Sequence, residues 1–231
     1  MRNIFELIKK TDVGAIGIGA MIVFIALILV AGVAASVLIQ TSNTVQLQAM
    51  KTGTETIREV SGGIAVFDIE GLVNKTGATY YNMTYLAITV RARPGAGDID
   101  LNNTYILMTD GEKKILLRYN YNNESCFVSK ADANGSIFGL MAYWDECDYE
   151  HFGIAVMQDY DLSLQRFSPV LNRGDKAILF VRCSANTNGA FGREIPERTD
   201  VMGQVVPERG SPGVIAFETP MSYAQIIYDI Q

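Results

Sequence analysis

The chain has 231 residues, 19 basic against 25 acidic, for a formal net charge of −6. An acidic balance without a basic patch argues against a nucleic-acid partner, which requires clustered Lys and Arg to neutralise phosphate. The length allows one folded domain of roughly 150–200 residues beside any further segment.

Residues 1–13, MRNIFELIKKTDV, carry Arg2, Lys9 and Lys10 together with Glu6 and Asp12. Next comes GAIGIGAMIVFIALILVAGVAASVLI, from Gly14 to Ile39, and no charged side chain stands between Asp12 and Lys51. A hydrocarbon core about 30 Å thick needs roughly 20 apolar residues at a 1.5 Å rise. Ile16 to Ile39 supplies 24, of which 14 are Leu, Ile, Val or Phe. At roughly −0.3 to −0.6 kcal/mol apiece these contribute on the order of −4 to −8 kcal/mol to insertion. No polar stripe interrupts the run, so its helix suits lipid or the middle of a packed bundle equally. The basic residues before it hold the N-terminus in the cytoplasm and send the rest outside. No small-residue cleavage motif follows the run, whereas Gly14 precedes it as a candidate cleavage point. Ala31 with Ala35, and Gly32 with Ser36, repeat small residues at four-residue spacing and allow helices to approach closely.

Beyond Ile39, QTSNTVQLQAMKTGTETIREVSGG places Leu47, Met50, Ile57 and Val60 at helical intervals among polar residues. The helix is predicted to run from Ala15 to about Ser61, stopping at Gly62 and Gly63. The period then changes to two. AVFDIEGL, TYLAITVRARP, NTYILMTD, EKKILLRYN, FGIAVMQDY, KAILFVRCSA, DVMGQVVPE and GVIAFETP are predicted strands, separated by turn signals such as RPGAGD, TDGEK, LNRGDK and ERGSPG. The fold class is α+β: one long hydrophobic N-terminal helix followed by an antiparallel β-sandwich, Ig-like or Greek-key. Between Asn120 and Glu150 the predicted element is a short helix around SIFGLMAY.

Five N-x-[S/T] sequons, at Asn74, Asn82, Asn102, Asn123 and Asn134, fall within 61 residues on the exported side. They mark the solvent-facing flank of the head if sugars are attached. Cys126 and Cys147 can close a disulfide in an oxidising compartment, and Cys183, inside ILFVRCSA, reads as a buried thiol. Asp98 and Asp100 alternate in GDIDLNN, like the start of a calcium loop. Asn103 stands where an EF-hand needs Gly, and Thr109 where it needs Glu, so the stretch is a weak cation site or an Asx-rich turn. The lone histidine, His151, lies among acidic residues and reads as part of a solvated loop rather than a metal ligand or a base. Arg173-Gly174-Asp175 reads as a tight turn between strands. One histidine cannot build a Ser-His-Asp or Cys-His arrangement, and no Walker loop is present, so no catalytic residue is expected.

The segments GAIGIGAMIVFIALILVAGVAASVLIQTS and LQAMKTGTETIREVSGGI resemble the N-terminal region of archaeal flagellins, or archaellins. FGIAVMQDYD, LNRGDKAILFV and IPERTDVMGQVVPERGSPGVIAFETPMSY resemble the C-terminal half of the same family, and the likeness is weakest between Glu70 and Asp148. The resemblance implies a leader, residues 1–14, removed by a prepilin-peptidase-like membrane peptidase between Gly14 and Ala15. It also implies a retained helix, residues 15–62, that anchors the precursor in the membrane and then forms the filament core. Residues 63–231 are then an extracellular head. The fifth mature residue is Gly19, not the glutamate of bacterial type IV pilins. The expected function is a non-enzymatic subunit of the archaeal swimming filament, assembled with copies of itself or related flagellins. A structural divalent cation is the one bound group considered. A non-motile adhesive pilus subunit and a monomeric membrane-anchored binding domain are the alternatives.

Overall fold

The computed structural model describes residues 2–76, 79–129, 137–140, 149–183 and 189–231, with backbone alone for residues 2–13, 15, 76, 80 and 140. By compactness the chain divides into two units, Met1–Thr54 and Glu55–Gln231.

Helix α1 runs from Arg2 to Ser61, 60 residues, so it begins well before the predicted start. No proline occurs before Pro94 to interrupt it. Its many Val and Ile residues are modest helix formers in water, but in lipid or a dry bundle the backbone polar groups must be satisfied within the segment, which forces the helix. The side chains of Thr41 and Thr44 donate to the Val37 and Gln40 carbonyls at 2.7 and 2.9 Å. Their hydroxyls are thus already paired within the helix and add little cost to burying this stretch.

The head contains strands β1 (Ile64–Thr76), β2 (Thr79–Ala92), β3 (Ile99–Asp100), β4 (Tyr105–Thr109), β5 (Lys114–Tyr119), β6 (Phe127–Val128) and β7 (His151–Gln158). After these come β8 (Leu164–Gln165), β9 (Ser168–Leu171), β10 (Lys176–Arg182), β11 (Asp200–Val206), β12 (Gly213–Glu218) and β13 (Ile227–Asp229). All eight predicted strands are present. One hydrogen-bonded path runs β12-β11-β4-β5-β7-β10-β2-β1-β13, with β6 beside β7, and a small second sheet is ordered β3-β9-β8. Most pairings are antiparallel. The β5–β7 and β6–β7 pairs are parallel.

The large sheet folds over into two leaves, β12-β11-β4-β5 and β7-β10-β2-β1-β13. Their inward side chains, among them Ile69, Leu86, Ile88, Ile106, Met108, Leu117, Phe152, Ile154, Leu179, Val205 and Ile215, make one core. Each fully buried Leu, Ile, Val or Phe contributes roughly 1.5–3 kcal/mol relative to exposure. Strands β7 and β10 are buried on both faces. A second cluster of Leu72, Tyr85, Ala87, Val128, Phe138, Ala155, Ile178 and Phe180 covers part of the outer face of their leaf. That is why FGIAVM and AILFV read as continuous apolar runs, while β5 alternates strictly. Where a short helix is predicted around SIFGLMAY, the structure has a 3-10 turn, Ile137–Leu140. Its Phe138 packs edge-on against Phe180, with ring centroids 6.2 Å apart. The short strands β3, β6, β8, β9 and β13 carry too few residues to show a period in the sequence.

Residues 58–64 are fastened to the loop before β12. The Gly62 carbonyl accepts the Ser211 N–H at 2.9 Å, and the Ile64 N–H donates to the Ser211 carbonyl at 3.2 Å. Gly63 has φ +129°, and an added Cβ there would lie 2.1 Å from the Ser211 oxygen. Only glycine tolerates both that torsion and that approach. Arg93 closes the joint, its Nε donating to the Ile64 carbonyl at 3.2 Å and Nη2 to the Pro212 carbonyl at 3.4 Å.

Candidate functional site

Three regions carry functional potential: the apolar helix, the sequon-bearing loops and a carboxylate cluster. From Ile16 to Ser61 the helix is long and apolar enough to cross a membrane, and none of its most apolar window is buried in the chain. Phe24, Leu27, Leu29, Val30, Val33 and Leu38 are all more than 60 % exposed. So many exposed large apolar side chains have no stable place in water; the helix requires lipid or other helices. Gly14 lies inside the helix and its surroundings are open; Ala15 is helical by backbone. Ala31, Gly32, Ala35 and Ser36 are exposed, and nothing lies within 4 Å of a Cβ built on Gly32. The small-residue positions are therefore open for approach by another helix.

Four of the five sequon asparagines are described. Asn74 is exposed on β1, its Nδ2 3.5 Å from Glu194 Oε1, and Asn82 is half-buried on β2. Asn102 sits in the 3-10 turn Leu101–Asn103. Asn123 caps the turn Glu124–Cys126, its Oδ1 accepting the Ser125 N–H at 3.0 Å. That loop is held by Arg166, which donates to the Tyr121 and Asn122 carbonyls and pairs with Glu124 at 2.6 Å. Asn134 and Cys147 lie outside the described residues. Cys126 is disulfide-bonded, and Cys183 is a free, buried thiol whose ionisation burial disfavours.

Asp98 is exposed, and Asp100 caps a turn: Oδ1 accepts the Asn102 N–H at 2.8 Å and Oδ2 accepts the Asn103 amide at 3.2 Å. Asp98 and Asp100 line one surface pocket with Glu208 and Arg209, but among the described residues they form no group of three ligand atoms within 4.8 Å of one another. Among the described residues the three-carboxylate cluster is instead Asp159, Asp161 and Asp175, whose ligand atoms lie within 4.8 Å of one another. Asp175 is 1 % exposed; its Oδ2 accepts the Ser163 hydroxyl at 3.2 Å and the Asn172 N–H at 3.1 Å, and its Oδ1 has no partner among the described residues. Desolvation opposes ionisation of Asp161, but hydrogen bonds from Ser163 and Asn172 outweigh it and hold the carboxyl below its usual range. Leu162, at φ +60°, turns the chain between Asp161 and Ser163. A buried carboxylate with an orphan oxygen beside two more carboxylates is a donor set for a hard divalent cation with oxygen ligands. The sequence shows two of the three, since Asp159 and Asp161 alternate in QDYDLS just as Asp98 and Asp100 do. The third member is 14 positions on, in Arg173-Gly174-Asp175. That tripeptide is a tight turn, as predicted, with Gly174 at φ +105° and Asp175 turned into the interior. His151 opens strand β7 and is half-buried, not in a solvated loop.

Buried Asp110 anchors the β4–β5 turn. Its carboxylate accepts the N–H groups of Glu112 and Lys113 and the Nε and Nη2 of Arg193. This network joins the turn to residues 190–193.

Comparison with known proteins agrees with this arrangement of an exposed apolar helix and a folded-over sheet. The model of the archaeal-type flagellin family matches residues 14–217. Flagellin B2 of Methanocaldococcus jannaschii is 41 % identical over 96 % of this chain and 95 % of its own. Flagellin B3 of Thermococcus kodakarensis is 36 % identical over 94 % and 97 %. The crystal structure of archaeal flagellin FlaB1 from M. jannaschii superimposes with a TM-score of 0.61 at 29 % identity, covering 74 % of this chain and 97 % of that one. A chain of the archaeal flagellum of Methanospirillum hungatei shares the fold, with a TM-score of 0.55 at 13 % identity over 93 % and 98 %. The chain belongs to the archaeal-type flagellins, and it is a structural subunit of the archaeal flagellum filament rather than an enzyme.

Proposed function

We propose that this flagellin is made as a precursor held in the membrane by the helix beginning near Ile16, with its head outside the cell. A prepilin-peptidase-like enzyme cuts between Gly14 and Ala15, and the helix then passes from lipid into a bundle of its own kind at the core of a swimming filament. The observation that carries this reading is the apolar helix from Ile16 to Ser61, no part of whose apolar window is covered by the chain itself. Support for the cleavage point comes from the family match, which begins at residue 14.

The transfer from lipid to bundle gains little from the hydrophobic effect, because lipid tails and Leu or Ile side chains are similarly apolar. Close packing at Ala31, Gly32, Ala35 and Ser36 has to favour the bundle. Sugars on Asn74, Asn82, Asn102, Asn123 and Asn134 would face solvent, since a bulky polar glycan cannot enter a packed interface without loss of contact. N-terminal sequencing and intact mass of sheared filaments test the reading. A chain starting at Ala15, with added mass on sequon peptides, is the expected result. A chain that starts at Met1 in filaments, or one found only in the detergent-soluble membrane fraction, defeats it.

A further inference from the structure

Three of the four described sequons share one feature: the asparagine reaches solvent, and the hydroxyl-bearing residue two positions on does not. Asn82, Asn102 and Asn123 are half-buried, whereas Thr84, Thr104 and Ser125 are 7, 1 and 9 % exposed. The Thr84 hydroxyl donates to the Leu72 carbonyl at 3.2 Å, and the Thr104 hydroxyl to the Asp100 carbonyl at 3.0 Å. In a sequon that hydroxyl belongs to the recognition element, so a transferase has to reach it together with the asparagine amide. The folded head therefore has room for a sugar already attached, but it hides the part of the acceptor that the enzyme reads.

The backbone holds each of the three in place. Met83, the middle residue of the first, exchanges two 3.0 Å hydrogen bonds with Ile195, and the Thr84 carbonyl accepts the Cys183 N–H at 2.7 Å. In the second, Asp100 Oδ1 accepts the Asn102 N–H, and the Thr104 N–H donates to the carbonyl of fully buried Leu101 at 3.3 Å. In the third, the Asn123 carbonyl accepts the N–H of Cys126 at 3.2 Å, and Cys126 is itself buried and disulfide-bonded. Drawing any of these segments into an enzyme cleft breaks strand or turn hydrogen bonds and uncovers core side chains. Access thus requires local unfolding.

We propose that sugar transfer to Asn82, Asn102 and Asn123 takes place before the head folds, on newly exported chain, and that folding closes these three sites to the transferase. The donor is an oligosaccharide linked through phosphate to a membrane lipid. The asparagine Nδ2 forms a C–N bond to the anomeric carbon as the C–O bond to phosphate breaks. The lipid phosphate leaves with the electron pair, and the amide gives up one proton to a base of the transferase. The amide oxygen is untouched, so Oδ1 of a glycosylated Asn123 still accepts the Ser125 N–H and caps its turn. The order is export, transfer, folding and then assembly, and a sequon missed before folding stays bare. The inference rests on the sugar reading of the sequons and adds their timing.

The test sets the folded chain against its own segments. Full-length chain made without sugars in a bacterium and folded in detergent is incubated with detergent-solubilised membranes of the native cells, which supply transferase and lipid-linked donor. Synthetic peptides of residues 79–87, 99–107 and 120–128 are incubated in the same way. Mass spectrometry should find sugar on Asn82, Asn102 and Asn123 in the peptides, and transfer to the folded chain at the same positions should be slower by about a hundredfold or more. A folded chain modified at any of the three as fast as its peptide overturns the order and leaves the sugar reading intact. Peptides that take no sugar, while native filaments carry it at these positions, also overturn the order, because the unfolded sequon is then not the acceptor. Bare sequons in native filaments overturn both.

Discussion

Arg193 forks onto buried Asp110, with Nη2 2.7 Å and Nε 3.0 Å from the same carboxylate oxygen, and so ties the β4–β5 turn to a segment more than 80 positions further along the chain. Burial by itself would raise the Asp110 pKa. The N–H of Lys113, the Arg193 guanidinium and the N–H of Glu112 outweigh it and hold the carboxyl below its usual range. A carboxylate with a depressed folded pKa stabilises fully above its unfolded value, near about 4, and this contribution is lost as the pH falls through the folded value. Thermal unfolding of the full chain should therefore weaken below about pH 4. Asp110→Asn should lower stability at neutral pH by about 2–3 kcal/mol and flatten that acid limb. An unchanged acid limb in the variant would remove Asp110 as its source.

The joint after α1 makes a steric prediction. A Cβ on Gly210 would fall 2.6 Å from the Gly62 carbonyl carbon, and Gly210 has φ +88°, so Gly210→Ala and Gly63→Ala should each cost about 3 kcal/mol or more, or prevent folding. By contrast Gly53, inside α1 with open space around it, should gain roughly 0.5–1 kcal/mol on replacement by alanine. Melting curves of the three variants, compared on one scale, check the order.

If Asp159, Asp161 and Asp175 hold a divalent cation, calcium at about a hundred times its dissociation constant adds about 2.7 kcal/mol, or roughly 5–10 °C in melting temperature. EDTA should reverse the gain. Asp175→Asn should abolish it, whereas Asp100→Asn, at a carboxylate that caps a turn, should leave it intact. Calcium titrations followed by calorimetry decide between the two loops.

In the helix, Gly32→Leu or Ala35→Phe should block polymerisation while leaving membrane insertion unchanged. Each makes the segment more apolar and at the same time obstructs close approach. Carbonate extraction reports insertion and electron microscopy of sheared material reports assembly. Normal filaments from either variant would show that these positions do not pack tightly.

Much of the chain was legible in its order of residues because the signals are local. Twenty-four consecutive residues, apolar but for Ser36 and without a charge, specify a helix in any dry environment, since no other backbone conformation satisfies its own hydrogen bonds there. Eight strands followed from alternation or short apolar runs bounded by turn residues, and Gly62-Gly63 marked the helix end. The five strands without a sequence signal are held by register partners elsewhere: β13 exists because Glu70, Gly71 and Leu72 offer an edge, not because IYD prefers extension.

What the sequence determined by itself is the helix, the strand inventory and the family likeness, all of them properties of short stretches. The tertiary structure decided which residues from distant stretches meet. It placed Asp175 beside Asp159 and Asp161, turning that carboxylate inward while Arg173 and Gly174 of the same turn stay exposed. These meetings depend on strand order and on which face each residue takes. Alternation predicts that neighbouring residues take opposite faces, but only the folded sheet fixes what each face meets.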